Sequence, residues 1–162
     1  MNFHDTIQNA DKYSITFQSQ SADSAKVGIV AASYAVNFAY NPMNLIFKNL
    51  TIATSANQNL MSFSPDTKLG QKLEIIACHL VAPVNAPNMI YISGEENSIT
   101  KVNIQNSKFK GGNGHNLYIS QTDNDGEYSE SIENVTVKKT YLSNGIYLQT
   151  PGKIKNILVD NV

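Results

Sequence analysis

The sequence predicts an all-β protein built as a strand solenoid, with short strands returning in register and parallel, coil upon coil. Three observations predict it. A polar–apolar–polar–apolar phrase recurs as Asn49-Leu50-Thr51-Ile52, Lys72-Leu73-Glu74-Ile75, Lys101-Val102-Asn103-Ile104, Asn134-Val135-Thr136-Val137 and Asn156-Ile157-Leu158-Val159. The second residues of these phrases lie 23, 29, 33 and 22 positions apart, roughly one coil each when the loops vary in length. A second strand follows the later phrases, as Ile90-Tyr91-Ile92, Leu117-Tyr118-Ile119 and Ile146-Tyr147-Leu148.

Period-two alternation puts the flanking apolar residues of each strand on one face and its central residue on the other. No single coil buries its own apolar face, so stacking is required. Leu50, Leu73, Val102, Val135 and Ile157 are expected to form one column, and Ile90, Leu117 and Ile146 another. Small residues follow each phrase at Ser55, Cys78, Ser107 and Thr140, with Leu80, Phe109 and Leu142 two positions on and Asn57 departing from the pattern. Leu60-Met61-Ser62-Phe63 fills the second-strand slot of the earlier coil less clearly. Gly70, Gly94, Gly111, Gly112, Gly114, Gly145 and Gly152 fall between strands, where corners belong.

An irregular first coil is expected from Tyr13-Ser14-Ile15-Thr16-Phe17, Val27-Gly28-Ile29-Val30 and Val36-Asn37-Phe38. Phe3 to Lys12 reads as a short capping helix. One domain over residues 1–162 results, with 1–12 as the cap and 13–162 as coils. The last phrase stops in mid-strand at Val162, which reads as a solenoid truncated at its C-terminal end. An antiparallel sandwich is the structural competitor. Its hairpin turns recur every ~8–12 residues, and its phrases do not align column by column.

Composition narrows the partners. The chain has 162 residues, 41% of them apolar, and a net charge of −1, so it shows no electrostatic footprint for nucleic acid. All twelve basic residues are lysines. The planar fork that grips carboxylates and phosphates in pairs is therefore missing. The most apolar stretch, Val27 to Tyr40, is short for a membrane span and is interrupted by Ser33 and Asn37. No basic-then-apolar leader opens the chain, as expected of a mature exported protein or an excised fragment. Cys78 alternates with apolar neighbours and reads as a small core residue.

Asn44-Leu45-Ile46-Phe47-Lys48-Asn49-Leu50-Thr51-Ile52 and Ser143-Asn144-Gly145-Ile146-Tyr147-Leu148 resemble the repeats of right-handed, single-stranded parallel β-helix proteins of the pectin-lyase-like superfamily. Tyr13 to Phe47 is similar to the repeat region of secreted bacterial surface proteins of that fold. The resemblance covers roughly Tyr13 to Val162. It implies a right-handed parallel β-helix and an extracellular or cell-surface location. The superfamily spans polysaccharide lyases, hydrolases, epimerases, esterases, tailspikes and adhesins, so the activity stays open.

Tyr91, Tyr118 and Tyr147 are the first candidate site. As middle residues of successive strands they should point outward from one face, one coil apart, where exposed rings suit the C–H faces of sugars. Stacking of like residues for stability is the competing reading. The second candidate is the acidic excursion Ser120 to Glu130, with Asp123, Asp125, Glu127 and Glu130. Paired carboxylates serve glycoside hydrolysis as acid and as base or nucleophile. A solvated turn is the plainer account, because Asp-Gly is ordinary turn chemistry. Asp123-Asn124-Asp125-Gly126 offers the oxygen ligands calcium takes but no complete loop, so no metal or cofactor is expected beyond that weak calcium option.

His115, in Gly112-Asn113-Gly114-His115-Asn116, resembles the Gly-His-Gly element of β-helix polygalacturonases. Asparagine follows it, however, and the arginine that this family and the pectate lyases use is missing. A corner residue is the alternative for His115, as a solvated corner is for Glu95 and Glu96. His4 and His79 show no partner.

The expected function is an extracellular module binding polysaccharide or glycan along the tyrosine face. The alternatives are a polysaccharide hydrolase or lyase using Asp123, Asp125, Glu127 and His115, and a structural or adhesive stalk. A homotrimer is compatible with the sequence and not demanded by it.

Overall fold

Runs that alternate Val, Ile or Leu with polar residues form strands because each can bury one face only. The computed structural model describes residues 2–3, 14–20, 23, 27–39, 44–64, 71–95, 99–122 and 131–162. Among these are eighteen strands and no helix. After β1 (Asn2–Phe3) comes a first turn of β2 (Ser14–Gln18), β3 (Gly28–Ala31) and β4 (Val36–Ala39). A second turn has β5 (Asn44–Lys48), β6 (Thr51–Thr54) and β7 (Met61–Ser64). The third has β8 (Gln71–Ile76), β9 (His79–Val81) and β10 (Asn88–Glu95), and the fourth β11 (Ile99–Gln105), β12 (Lys108–Lys110) and β13 (His115–Thr122). The chain continues through β14 (Ser131–Glu133), β15 (Val135–Lys138), β16 (Ile146–Gln149), β17 (Lys153–Lys155) and β18 (Leu158–Asp160).

Every strand pairing is parallel. Three sheets result. The tyrosine sheet stacks β1, β4, β7, β10, β13 and β16. The long sheet stacks β2, β5, β8, β11, then β14 with β15 and β17 with β18, and the short sheet stacks β3, β6, β9 and β12. This is a parallel β-solenoid of about four turns. The described residues contain no antiparallel pair, which removes the sandwich.

The core is made of columns. Met61, Ile90, Leu117 and Ile146 share one, and Phe63, Ile92, Ile119 and Leu148 the next. Phe17 and Phe47 stack at 5.0 Å in the long sheet, above Ile75 and Ile104. In the short sheet Ile29, Ile52, Leu80 and Phe109 align.

One expected column needs correction. Leu73, Val102 and Val135 do align, but the residue beneath Leu73 is Leu45, not Leu50. Leu50 lies round the corner, at the entry to the short sheet, where its carbonyl accepts from His79 N at 2.9 Å. Its row continues through Cys78, Ser107 and Thr140. Cys78 N donates to Ser107 Oγ at 3.1 Å, and Ser107 N to Thr140 Oγ1 at 3.4 Å. The phrase Asn49-Leu50-Thr51-Ile52 therefore sits one strand further along its coil than the others, in the short sheet and not the long one. Ser55 falls outside the small-residue row, and Ile52 takes the place expected of Asn57.

The reason is the asparagine that opens several phrases. Asn49, Asn106 and Asn161 adopt left-handed φ of 50–54° at the corner after the long sheet, joined there by Ala77 and Lys139. Asn134 and Asn156, with φ of 53°, make the same bend inside the long sheet, between β14 and β15 and between β17 and β18. Asparagine favours this conformation wherever it is needed, so its presence marks a bend without saying which one. Alanine gains nothing there and carries the strain of a Cβ against its own carbonyl. Ala77→Asn should therefore raise stability by about 0.5–1 kcal/mol, and Asn106→Ala should lower it by about 1 kcal/mol, in urea unfolding.

Phe3 lies in β1, paired in parallel with Phe38 of β4, and not in the expected cap helix. Residues 4–12 lie outside the described residues. At the other end Ile154, Ile157 and Val159 are partly exposed, with no described residue stacked beyond them. Among the described residues, no helix is long and apolar enough to cross a membrane.

Candidate functional site

The tyrosine sheet positions its outward residues through an asparagine ladder three residues upstream. Asn59, Asn88, His115 and Asn144 occupy this rung in four successive turns. Asn88 N donates to Asn59 Oδ1 at 3.1 Å, and His115 N donates to Asn88 Oδ1 at 3.1 Å. Histidine cannot pass the ladder on, so Asn116 takes over. Fully buried, it accepts from Asn144 N at 2.6 Å and donates from Nδ2 to Ser143 Oγ at 3.2 Å. Such side chain–backbone bonds, worth about 1 kcal/mol each when buried, pin the register of the strands that follow.

Three residues on from the rung the register row reads Ser62, Tyr91, Tyr118 and Tyr147. Tyr91 and Tyr118 stack with centroids 5.2 Å apart and planes within 12°, and Tyr118 and Tyr147 at 4.8 Å and 9°. The rise between parallel strands, about 4.8 Å, is close to a ring-stacking distance, so aligned outward tyrosines meet face to face. The sequence leads one to expect ring faces open to a ligand. Here the faces between neighbours cover each other. What stays accessible is the row of ring edges, and Tyr147, at the end of the stack, is the most open of the three residues at 37% exposed.

His115, released from the asparagine ladder, lies against this stack, 5.7 Å from Tyr118 and 5.2 Å from Tyr147 at tilts of 48° and 44°. Next to the tyrosines runs a polar row of Ser93, Ser120 and Gln149. Tyr147 OH donates to Gln149 Oε1 at 2.8 Å. Sequence reasoning singled out the tyrosines and His115 and missed Gln149. Its position two residues after Tyr147, on the same strand face, was the available signal.

Asp123, Asp125, Glu127 and Glu130 lie outside the described residues, as do Glu96, His4 and the Asp123-Asn124-Asp125-Gly126 segment. Of Glu95 the backbone alone is described, as the last residue of β10. The excursion leaves from Thr122 at the end of β13, the strand that carries Tyr118.

Two further residues have structural explanations. Cys78 is buried, and burial pushes its thiol pKa up, against smaller opposing effects from backbone hydrogen bonds. A thiol so held stays protonated and unreactive. Desolvation first, and then the charges of Lys108 and Lys110, push the His79 pKa down. Its Nε2 is buried without a hydrogen-bond partner among the described residues. Among the described residues, no group of three or more His, Cys, Asp or Glu side chains could hold a metal ion.

No protein-family model, curated protein or solved structure matches this chain.

Proposed function

We propose that this solenoid is an extracellular module that binds a polysaccharide or glycan along its tyrosine-bearing face, within a fold of the pectin-lyase-like kind. The observation that carries the reading is the convergence of Tyr91, Tyr118, Tyr147 and His115 in one half-exposed row beside Ser93, Ser120 and Gln149. Edge-on tyrosines set their hydroxyls one coil apart, and the neighbouring serines and Gln149 add donors and acceptors at the same repeat. A repeating ligand lying along the solenoid would meet a similar set of groups at each coil, so weak contacts add along its length. Tyr147, at the end of the stack, supplies one aromatic face for a terminal sugar ring.

The mutual stacking of the three rings favours a second reading, a structural or adhesive stalk, because stacked faces already stabilise the sheet. A glycan array separates the two. The module is expected to bind a defined set of polysaccharides, and Tyr118→Ala, which splits the stack and leaves His115 against Tyr147 alone, should weaken binding about tenfold. Binding to no glycan would leave the stalk.

A further inference from the structure

The short sheet ends differently from the other two. Alternation in Lys108-Phe109-Lys110 sends Phe109 fully into the core and leaves both lysines on the outer face, with Cα atoms about 6.8 Å apart. Beyond β12 the next turn adds no further strand to this sheet, and its irregular backbone leaves a gap beside them. Tyr141 bridges Lys108 in parallel, the Ser143 hydroxyl donates to Gly111 O at 3.0 Å, and Asn144 Nδ2 donates to Gly112 O at 3.0 Å. The uncovered space is a hollow of about 540 Å³ lined by Lys108, Phe109, Lys110, Gly111, Tyr141 and Ser143.

Among the described residues its charge is unopposed. Lys101, Lys138 and Lys155 each pair with a carboxylate, on Glu74, Asp160 and Glu133. Among the described residues, no carboxylate pairs with Lys108 or Lys110. Both bear on His79, which aligns with Lys108 one turn earlier and is kept from charging in part by their field. Lys108 Nζ stands 5.8 Å from the centroid of the Tyr141 ring, and that residue is 62% exposed.

The chemistry of this set selects a class of ligand. Ammonium groups are compact charges with three divergent donors on flexible stems, without the planar fork that matches a carboxylate edge. Two of them on one strand face can close on a tetrahedral oxyanion from both sides, and the Tyr141 ring beside them suits the apolar face of a sugar. We propose that this hollow binds the sulfate or phosphate ester of a sugar, with the oxyanion between Lys108 and Lys110 and the sugar ring against Tyr141. The site lies on a different sheet from the tyrosine row and does not depend on the reading given to that row.

The test uses the whole chain and two probes, the sulfate and phosphate monoesters of methyl glucoside at its primary hydroxyl, titrated by NMR at low ionic strength. Saturable binding of at least one ester is expected, and the tighter one identifies the natural source of the oxyanion. Lys108→Gln with Lys110→Gln should weaken it about tenfold, while Lys153→Gln leaves it unchanged. Tyr141→Ala should weaken the ester but not inorganic sulfate. In the unaltered protein, the bound ester should protect Lys108 and Lys110 selectively from acetylation, a readout that needs no variant. No saturation by either ester, equal affinity for inorganic sulfate and the esters, or protection spread evenly over all the lysines would overturn the proposal.

Discussion

Phe109→Ala should cost about 3–5 kcal/mol of stability, measured as a fall in the urea midpoint. Phe109 is fully buried, aligned with Leu80 beneath it, and its backbone N donates to Tyr141 O at 2.9 Å. It belongs to β12, the last strand of the short sheet, so no further strand of that sheet can move in to fill the void. Truncation removes the transfer free energy of the ring and leaves a cavity between rigid sheets that collapse poorly. Phe109→Leu keeps most of the volume and should cost about 1–1.5 kcal/mol. A solenoid is stabilised turn by turn, so the alanine variant should also unfold less cooperatively, with a lower m value. A loss below 1 kcal/mol for the alanine variant would mean that the column is loosely packed there.

Gly111→Ala is the second large effect, about 3 kcal/mol or more. Gly111 has φ of 97°, and a Cβ built on it would stand 1.9 Å from the carbonyl oxygen of Ala82. That oxygen is backbone and cannot swing aside. Ala82 is itself tied in place, its N donating to Lys110 O at 3.0 Å. Gly112 separates conformation from crowding. Its φ is 74°, yet the nearest atoms to a Cβ there are 3.4 Å away, so Gly112→Ala should cost only about 1–2 kcal/mol. Equal costs at the two positions would show that left-handed strain alone, and not the close approach to Ala82, requires glycine at Gly111. Because Gly111 follows Lys110 directly, its variant should also disturb the cationic hollow.

Much of this architecture was legible in the sequence because strand alternation has a period of two and coils stack in register. Val102 with Ile104, and Leu117 with Ile119, point inward as their alternation requires. The tyrosine row was legible for the same reason, since Tyr91, Tyr118 and Tyr147 each sit between two inward residues. Leu50 was misplaced because an asparagine at the corner, Asn49, and one inside the long sheet, Asn134, have the same backbone conformation and open similar phrases. Lys108 and Lys110 gave a visible Lys-Phe-Lys alternation, but their significance depends on a strand that the following turn does not form.

By itself, the sequence determined that branched residues at every second position must stack into parallel columns, and that Tyr91, Tyr118 and Tyr147 share one of the outer rows. Only the tertiary structure decided that Leu45 and not Leu50 underlies Leu73, that the tyrosine rings turn their faces to one another, and that His115 leaves the asparagine ladder to lie against them. The physical reason is that alternation specifies the side of a strand on which a residue stands. Which strand of the next coil it meets, and how two side chains about 4.8 Å apart orient, depend on corners and neighbours distant in sequence.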